Sequence, residues 1–196
     1  GQGLGLLDGE PSANYSAIRA SIAKNPLHSE SMAFIGSSKP QVFGNLANTF
    51  AWRSFDLSVN ISYAGDYYFR KPVTSYTTLF STGIAYPDFE RRWQKQGDEL
   101  TTAVPAMFYP VISSADSFYG SADINVLKAD HIRLEYINFS WRNSLKINNR
   151  AVQLQIYGNV SNLGILWRAN KERIDPEFPY RIAPTRNYAL GLKLDY

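Results

Sequence analysis

Residues 54–63 (SFDLSVNISY) alternate without a break: Phe55, Leu57, Val59, Ile61 and Tyr63 are apolar, while Ser54, Asp56, Ser58, Asn60 and Ser62 are polar. Side chains of an extended chain point alternately to opposite sides, so this stretch is a strand with one apolar and one polar face. Residues 186–196 (RNYALGLKLDY) repeat the pattern, with Tyr188, Leu190, Leu192, Leu194 and Tyr196 on one side. Their other side carries Asn187, Ala189, Gly191, Lys193 and Asp195. An apolar stripe of about 9–11 residues bracketed by aromatics fits the lipid-facing side of an outer-membrane barrel strand, whose opposite side lines a wet lumen. A soluble sandwich produces the same alternation with the stripe buried as a core, and the periodicity alone leaves both readings open.

Composition narrows the choice. Aromatic residues make up 14% of the 196, including 13 Tyr and 11 Phe, which favours β structure over a helical bundle. No run approaches the ~18 apolar residues of a transmembrane helix, whereas alternation hides a transmembrane strand from hydropathy averages. The net charge is only +3 and its basic residues are scattered, so nucleic acid is a poor partner. With no cysteine, neither a disulfide framework nor a thiolate metal site is available. Gly1 opens no signal peptide, so an exported protein would be a mature form or a piece of something longer.

In chain order, residues 1–41 are irregular apart from an amphipathic stretch over 15–22 (YSAIRASI), with Ser12 or Asn14 as its cap and a turn at residues 36–40. A strand over 42–52 sets Val42, Leu46, Phe50 and Trp52 on one face, interrupted by Asn48. Arg53 and Ser54 make a tight connection to the clean strand, which continues towards Arg70. Residues 72–130 show no sustained alternation. They hold one expected short helix over 88–96, capped by Asp88 and stopped by Gly97. The strand over 131–142 changes phase midway, and a bulge near Tyr136 and Ile137 would reconcile its halves. A turn containing Asn148 and Asn149 leads to a strand over 151–160, then a loop rich in charge and proline over 163–185.

About five strands therefore alternate between short turns and long excursions, as in barrels with short periplasmic turns and long outer loops. The segments are an outer loop (1–41), a hairpin (42–71), a long outer loop (72–130), a hairpin (131–162), an outer loop (163–185) and a final strand (186–196). Trp52, Phe55, Trp141 and Tyr196 fall together at the short-turn end and point outward as a membrane girdle.

With the strands placed, the chain resembles the C-terminal part of the SusC/RagA family of TonB-linked outer-membrane transporters. The resemblance rests on residues 40–57 (PQVFGNLANTFAWRSFDL), 130–141 (DHIRLEYINFSW), 157–163 (YGNVSNL), Asp175-Pro176-Glu177, and the run from Pro184 to the end. The family commonly ends in Phe, and here the last residue is Tyr196. The resemblance implies an all-β fold: the C-terminal antiparallel strands of a transmembrane β-barrel of about 22 strands around a plug, with long extracellular loops containing short helices. It also implies nutrient import, of oligosaccharides or oligopeptides, into a Gram-negative bacterium. A SusD-like lipoprotein serves as lid, the TonB complex supplies energy, and the remaining barrel and plug lie upstream or in another chain.

Catalysis finds little purchase. The carboxylate pairs Asp88/Glu90, Asp98/Glu99 and Asp175/Glu177 sit in loops among basic residues, where solvation is the ordinary role. His28 and His131 are the sole histidines, so no multi-histidine metal site forms, and a calcium site at Asp175 and Glu177 stays open but needs further oxygen ligands. No phosphate loop, nucleophile or cofactor motif appears, and the chain reads as a non-enzyme. Tyr76, Tyr86, Trp93, Trp167 and Tyr180 are the candidate contacts to substrate or lid, since flat amphipathic rings suit sugars and peptides alike. Packing of those rings among the loops is the plainer role. Asp56, Ser58, Asn60, Gln153, Gln155 and Lys193 would wet the lumen. The alternatives are a soluble carbohydrate-binding β-sandwich and a periplasmic or surface structural subunit without transport. The transporter reading requires Phe55, Leu57, Val59, Leu190, Leu192 and Leu194 to meet lipid rather than a sealed core.

Overall fold

The computed structural model describes residues 2–26, 29–147 and 150–195. In chain order these form β1 (Gly5–Leu7), β2 (Glu10–Ser12), α1 (Tyr15–Lys24), β3 (Val42–Trp52), β4 (Phe55–Gly65) and β5 (Tyr68–Arg70). There follow α2 (Tyr76–Thr82), α3 (Ser113–Ser121), β6 (Val126–Lys128), β7 (His131–Ile147), β8 (Arg150–Arg168) and β9 (Asn187–Asp195). The chain divides into two compact units, residues 1–36 with 70–127 and residues 37–69 with 128–196.

The second unit is built on one antiparallel sheet in the order β3-β4-β7-β8-β9. Its register explains the alternation in the sequence, because the apolar positions of all five strands fall into shared rows. Trp52, Phe55, Trp141, Ile156 and Leu192 form one row. The next holds Phe50, Leu57, Phe139, Gly158 and Leu190, and the next Asn48, Val59, Ile137, Val160 and Tyr188. Tyr63, Ile132 and Trp167 close the face at its far end. The opposite face is mostly polar or small, with Phe43, Tyr136, Tyr157 and Ile165 set among those residues. Thr49, Ser58, Asn138 and Asn159 share a row there, with Thr49 and Ser58 hydroxyls 2.9 Å apart and Asn159 donating to the Asn138 side chain. Ser140 and Arg142 both donate to Asp56.

Glycine makes room where rings are crowded. A Cβ on Gly158 would lie 2.3 Å from the ring of its ladder partner Phe139, and one on Gly191 would lie 2.2 Å from the ring of Tyr157. Each ring thus lies over bare backbone, a pairing that holds glycine in a strand despite its entropy cost. The tight turn between β3 and β4 puts Arg53 at φ +53°, with its guanidinium 5.1 Å above the Trp52 ring.

Two single-residue bulges break the regular register, and Asn162 and Leu163 of β8 are unmatched opposite the first. Asn60 pairs with Tyr136 and Ile61 with Leu134, so Glu135 is the extra residue, one position before the expected bulge at Tyr136 and Ile137. On β8, Ile165 pairs with Arg133 and Trp167 with Ile132, leaving Leu166 extra. Strands β7 and β8 also run further than expected. The expected turn over residues 143–150 is largely ladder, paired from Asn143 with Leu154 to the end of β7, because alternation weakens there while pairing persists. Asn148 and Asn149 lie outside the described residues, as do His28 and Tyr196.

The first unit packs around Ile18, which is fully buried, and Tyr15, whose ring lies 5.0 Å from that of Phe118. Asn14 caps α1 by accepting from the Ala17 N–H at 3.1 Å, which settles the choice between Ser12 and Asn14. The expected helix over 88–96 is instead a single 3-10 turn, Pro87–Arg91. Asp88 does not cap it. The Asp88 carboxylate is buried and accepts from the Thr74 N–H at 3.0 Å and the Thr74 hydroxyl at 2.6 Å, so it ties residue 74 to the turn. Asp116 ties α2 to α3 in the same way, accepting from the Ser75 hydroxyl at 2.9 Å and the Thr77 N–H at 2.7 Å.

Candidate functional site

The polar face of the sheet carries a cavity of about 340 Å³ at the end of β7 and β8 away from the short turn between β3 and β4. Arg133, Glu135, Ile165 and Arg168 form its strand side, and residues 175–186 return over it, contributing Asp175, Glu177, Phe178, Pro184 and Arg186. The returning segment is fixed by side chain to backbone bonds. Asn170 pairs with both polar groups of Ile174 at 3.0 Å, and Asn162 donates to the Thr185 carbonyl at 3.0 Å.

Its centre is Arg133, whose side chain is only 9% exposed. One terminal nitrogen of the guanidinium meets both oxygens of Asp175, at 2.7 and 2.8 Å, and Glu177 at 2.8 Å. The ring of Phe178 lies 5.7 Å from the guanidinium carbon. Burying a charge is tolerable when partners this close compensate its lost hydration. Asp175 and Glu177, weighed above as calcium ligands, are therefore engaged by a cation of the chain's own. Beside them His131 is buried, with Nδ1 3.0 Å from the Ala129 carbonyl and 3.2 Å from the Tyr67 hydroxyl. A carbonyl can only accept, so Nδ1 carries the proton, and Nε2 faces Glu177 at 3.9 Å. Burial, then the carboxylates Glu177, Asp175 and Asp130, push the Tyr67 phenol up to about 12, so it remains a neutral hydroxyl.

The aromatic candidates are dispersed. Tyr76 is 6% exposed, its hydroxyl donates to the Pro105 carbonyl at 2.5 Å, and its ring meets Phe89 edge-on. Tyr86 is clasped through its backbone by the Thr74 hydroxyl, and Trp93 donates its indole N–H to Glu99 at 2.8 Å. Trp167 is not in the loop but on β8, in the apolar row with Ile132 and Tyr63. Tyr180 stands on the returning segment, 59% exposed. Of the four residues expected to form a girdle, Trp52 and Phe55 stack with ring centres 6.5 Å apart and Phe55 meets Trp141 at 6.3 Å. The fourth, Tyr196, lies outside the described residues.

The cavity escaped the sequence reading because its central pair, Arg133 and Asp175, stands 42 residues apart in the chain and only the fold joins them. One signal was present: Arg133 and Glu135 share the polar phase at the mouth of the loop that carries Asp175 and Glu177.

No family model matches the chain, and no curated protein does. Among solved structures, the whole chain superposes on a fifth of one much longer chain. That structure is of the RagAB peptide importer in its open-open state, matched with a TM-score of 0.61 at 15% identity over 100% of this chain and 20% of that one. The two share a fold. The likeness covers the five-stranded sheet and its excursions alike.

Proposed function

We propose that this chain is the C-terminal wall of a SusC/RagA-type, TonB-linked importer in the outer membrane of a Gram-negative bacterium. It serves uptake of an oligosaccharide or oligopeptide and catalyses no reaction itself. One observation carries the reading: the apolar rows of the sheet are uncovered. Phe55, Leu57, Leu190, Leu192 and Leu194 are between 41% and 77% exposed, and Val59 is half-buried among them. A soluble protein does not leave so large a continuous apolar face in water. A sandwich would need a second sheet over it, and none covers it among the described residues. The eight residue steps from Phe55 to Tyr63 span ~27 Å along the strand, or ~20 Å across a bilayer at barrel tilt, close to the apolar band of such barrels.

The outer edges of β3 and β9 carry unpaired backbone groups among the described residues, which hydrocarbon penalises by several kcal/mol each. Further strands on both sides satisfy them, supplied with a plug by an upstream part or another chain. The fold likeness to the RagAB peptide importer is the support for a lipoprotein lid of the SusD type as partner, and the same proposal takes TonB as energy source. The test is fractionation of the complete gene product. It should sediment with outer membranes, resist carbonate extraction and migrate faster on gels before boiling than after. Recovery as a soluble protein without detergent would overturn the reading.

A further inference from the structure

Three arginines and three carboxylates line the inner-face cavity, but they are not evenly paired. Asp175 and Glu177 are both committed to Arg133, and Glu135 accepts from the Ser62 hydroxyl. Arg168 donates to the Arg173 carbonyl and meets no carboxylate, and Arg186 has no polar partner among the described residues. Arg133 adds a third available donor. Its Nε–H is buried without an acceptor, because all its bonds converge on one terminal nitrogen. A buried donor left without a partner is uncommon in a folded protein and points to an acceptor supplied from outside the chain.

Resting on the importer reading above, we propose that this cavity binds a carboxylate group of the imported nutrient. Arg186 and Arg168 are its ligands, and Arg133, held in place by Asp175 and Glu177, offers its unpaired Nε–H as the third donor. A guanidinium presents paired N–H groups that match two oxygens in a plane. The lining sums to no net charge, and a monoanion meets less repulsion from its three carboxylates than a phosphate dianion would. Ile165, Phe178 and Pro184 give the carbon skeleton next to that carboxylate an apolar seat. A volume of about 340 Å³ accommodates one such end group rather than a whole oligomer.

The carboxylate has two sources, the C-terminus of a peptide or a uronic acid, and the experiment separates them. Calorimetry on the complete transporter with its lid, in detergent, compares penta-alanine as free acid and as C-terminal amide, and trigalacturonate with maltotriose. The acidic member of one pair should bind about 10-fold or more tighter than its neutral counterpart, as loss of a charge-assisted contact implies. Arg186→Gln should abolish that preference by weakening the acidic member about 10-fold or more, and Arg186→Lys should restore only part of it. Arg168→Gln serves as a second variant, and unchanged heat-modifiable migration certifies folding of each. Equal binding within both pairs, or a preference that survives both glutamine variants, overturns the proposal. If the wild-type assembly still imports a nutrient in that case, the importer reading stands. Absence of any uptake removes both.

Discussion

Arginine placed at successive outward positions of β4 reads out the depth of the apolar face. Phe55 lies in the row of Trp52 and Trp141, and Tyr63 lies in the opposite terminal row. Val59 is four residues from each, at the middle of the face, flanked by Asn48 and Ile137. In a bilayer, Val59→Arg should cost ~2–4 kcal/mol, Leu57→Arg less, and Phe55→Arg ~0–1 kcal/mol, since the arginine head near the interface reaches water. At ~3 kcal/mol the folded-to-unfolded ratio falls by roughly two orders of magnitude. Ser58→Arg is the control, one residue away but on the polar face beside Thr49 and Asn138. It should cost under ~1 kcal/mol, as ordinary surface changes do. The assay is a urea series on the complete protein in phosphatidylcholine vesicles, with the folded fraction read from gel migration before boiling. A flat profile across Phe55, Leu57 and Val59, or a larger loss for Ser58→Arg than for Val59→Arg, would refute the assignment of the faces.

Two further outcomes follow from local geometry. Gly158→Ala should destabilise the sheet by ~1–3 kcal/mol because its new methyl meets the Phe139 ring at 2.3 Å, and Phe139→Ala in the same chain should recover most of that loss in the urea series. In the loop over residues 94–99, the Trp93 indole N–H, followed by backbone N–H groups, holds the Glu99 carboxyl below its usual 4.5, and the Gln94 and Lys95 N–H groups lower Asp98 likewise. A carboxylate lowered on folding stabilises the fold above its unfolded value and loses that contribution as pH falls through the folded one. The loop should therefore hold at neutral pH and loosen in acid, below about 4.5 for Glu99. Emission of Trp93, with the other three tryptophans replaced by Phe, should report the change, and persistence of that transition in an Asp98→Asn, Glu99→Gln chain would count against the mechanism.

The sheet was legible where one face is apolar, because a period of two residues fixes which side each residue takes. Strands β4 and β9 follow their alternation almost to the residue, and the two-residue turn at Arg53 and Ser54 stands where expected. The excursions were not legible. Short-range contacts do not set them; a buried carboxylate such as Asp88 reaches back 14 residues to Thr74, and no local pattern marks that reach. The same reason turned the expected helix over 88–96 into a brief 3-10 turn. Trp167 was misplaced in a loop because β8 continues eight residues beyond Val160, through Asn162 and Gly164, whose positive φ values break the alternation without ending the ladder.

The two bulges connect this legibility to the cavity. On β7 the inward residues after the first bulge are Tyr136, Asn138, Ser140 and Arg142, all even-numbered. Without the extra Glu135, that phase would carry Ile132 and Leu134 onto the polar face and turn His131 and Arg133 onto the apolar one. On β8 the inward residues up to Ile165 are odd-numbered, and the extra Leu166 exchanges the phase so that Arg168 faces inward opposite His131. On the importer reading proposed above, an arginine on the apolar face would cost ~2–4 kcal/mol, so each slip converts a forbidden position into a usable one. Bulges re-aim side chains at the rims of barrels, and here the two slips are what gather Arg133 and Arg168 onto one wall. A regular sheet of the same composition would keep its stripes but have no charged cavity, which is why the phase change inside residues 131–142 carries more functional information than the clean alternation around it.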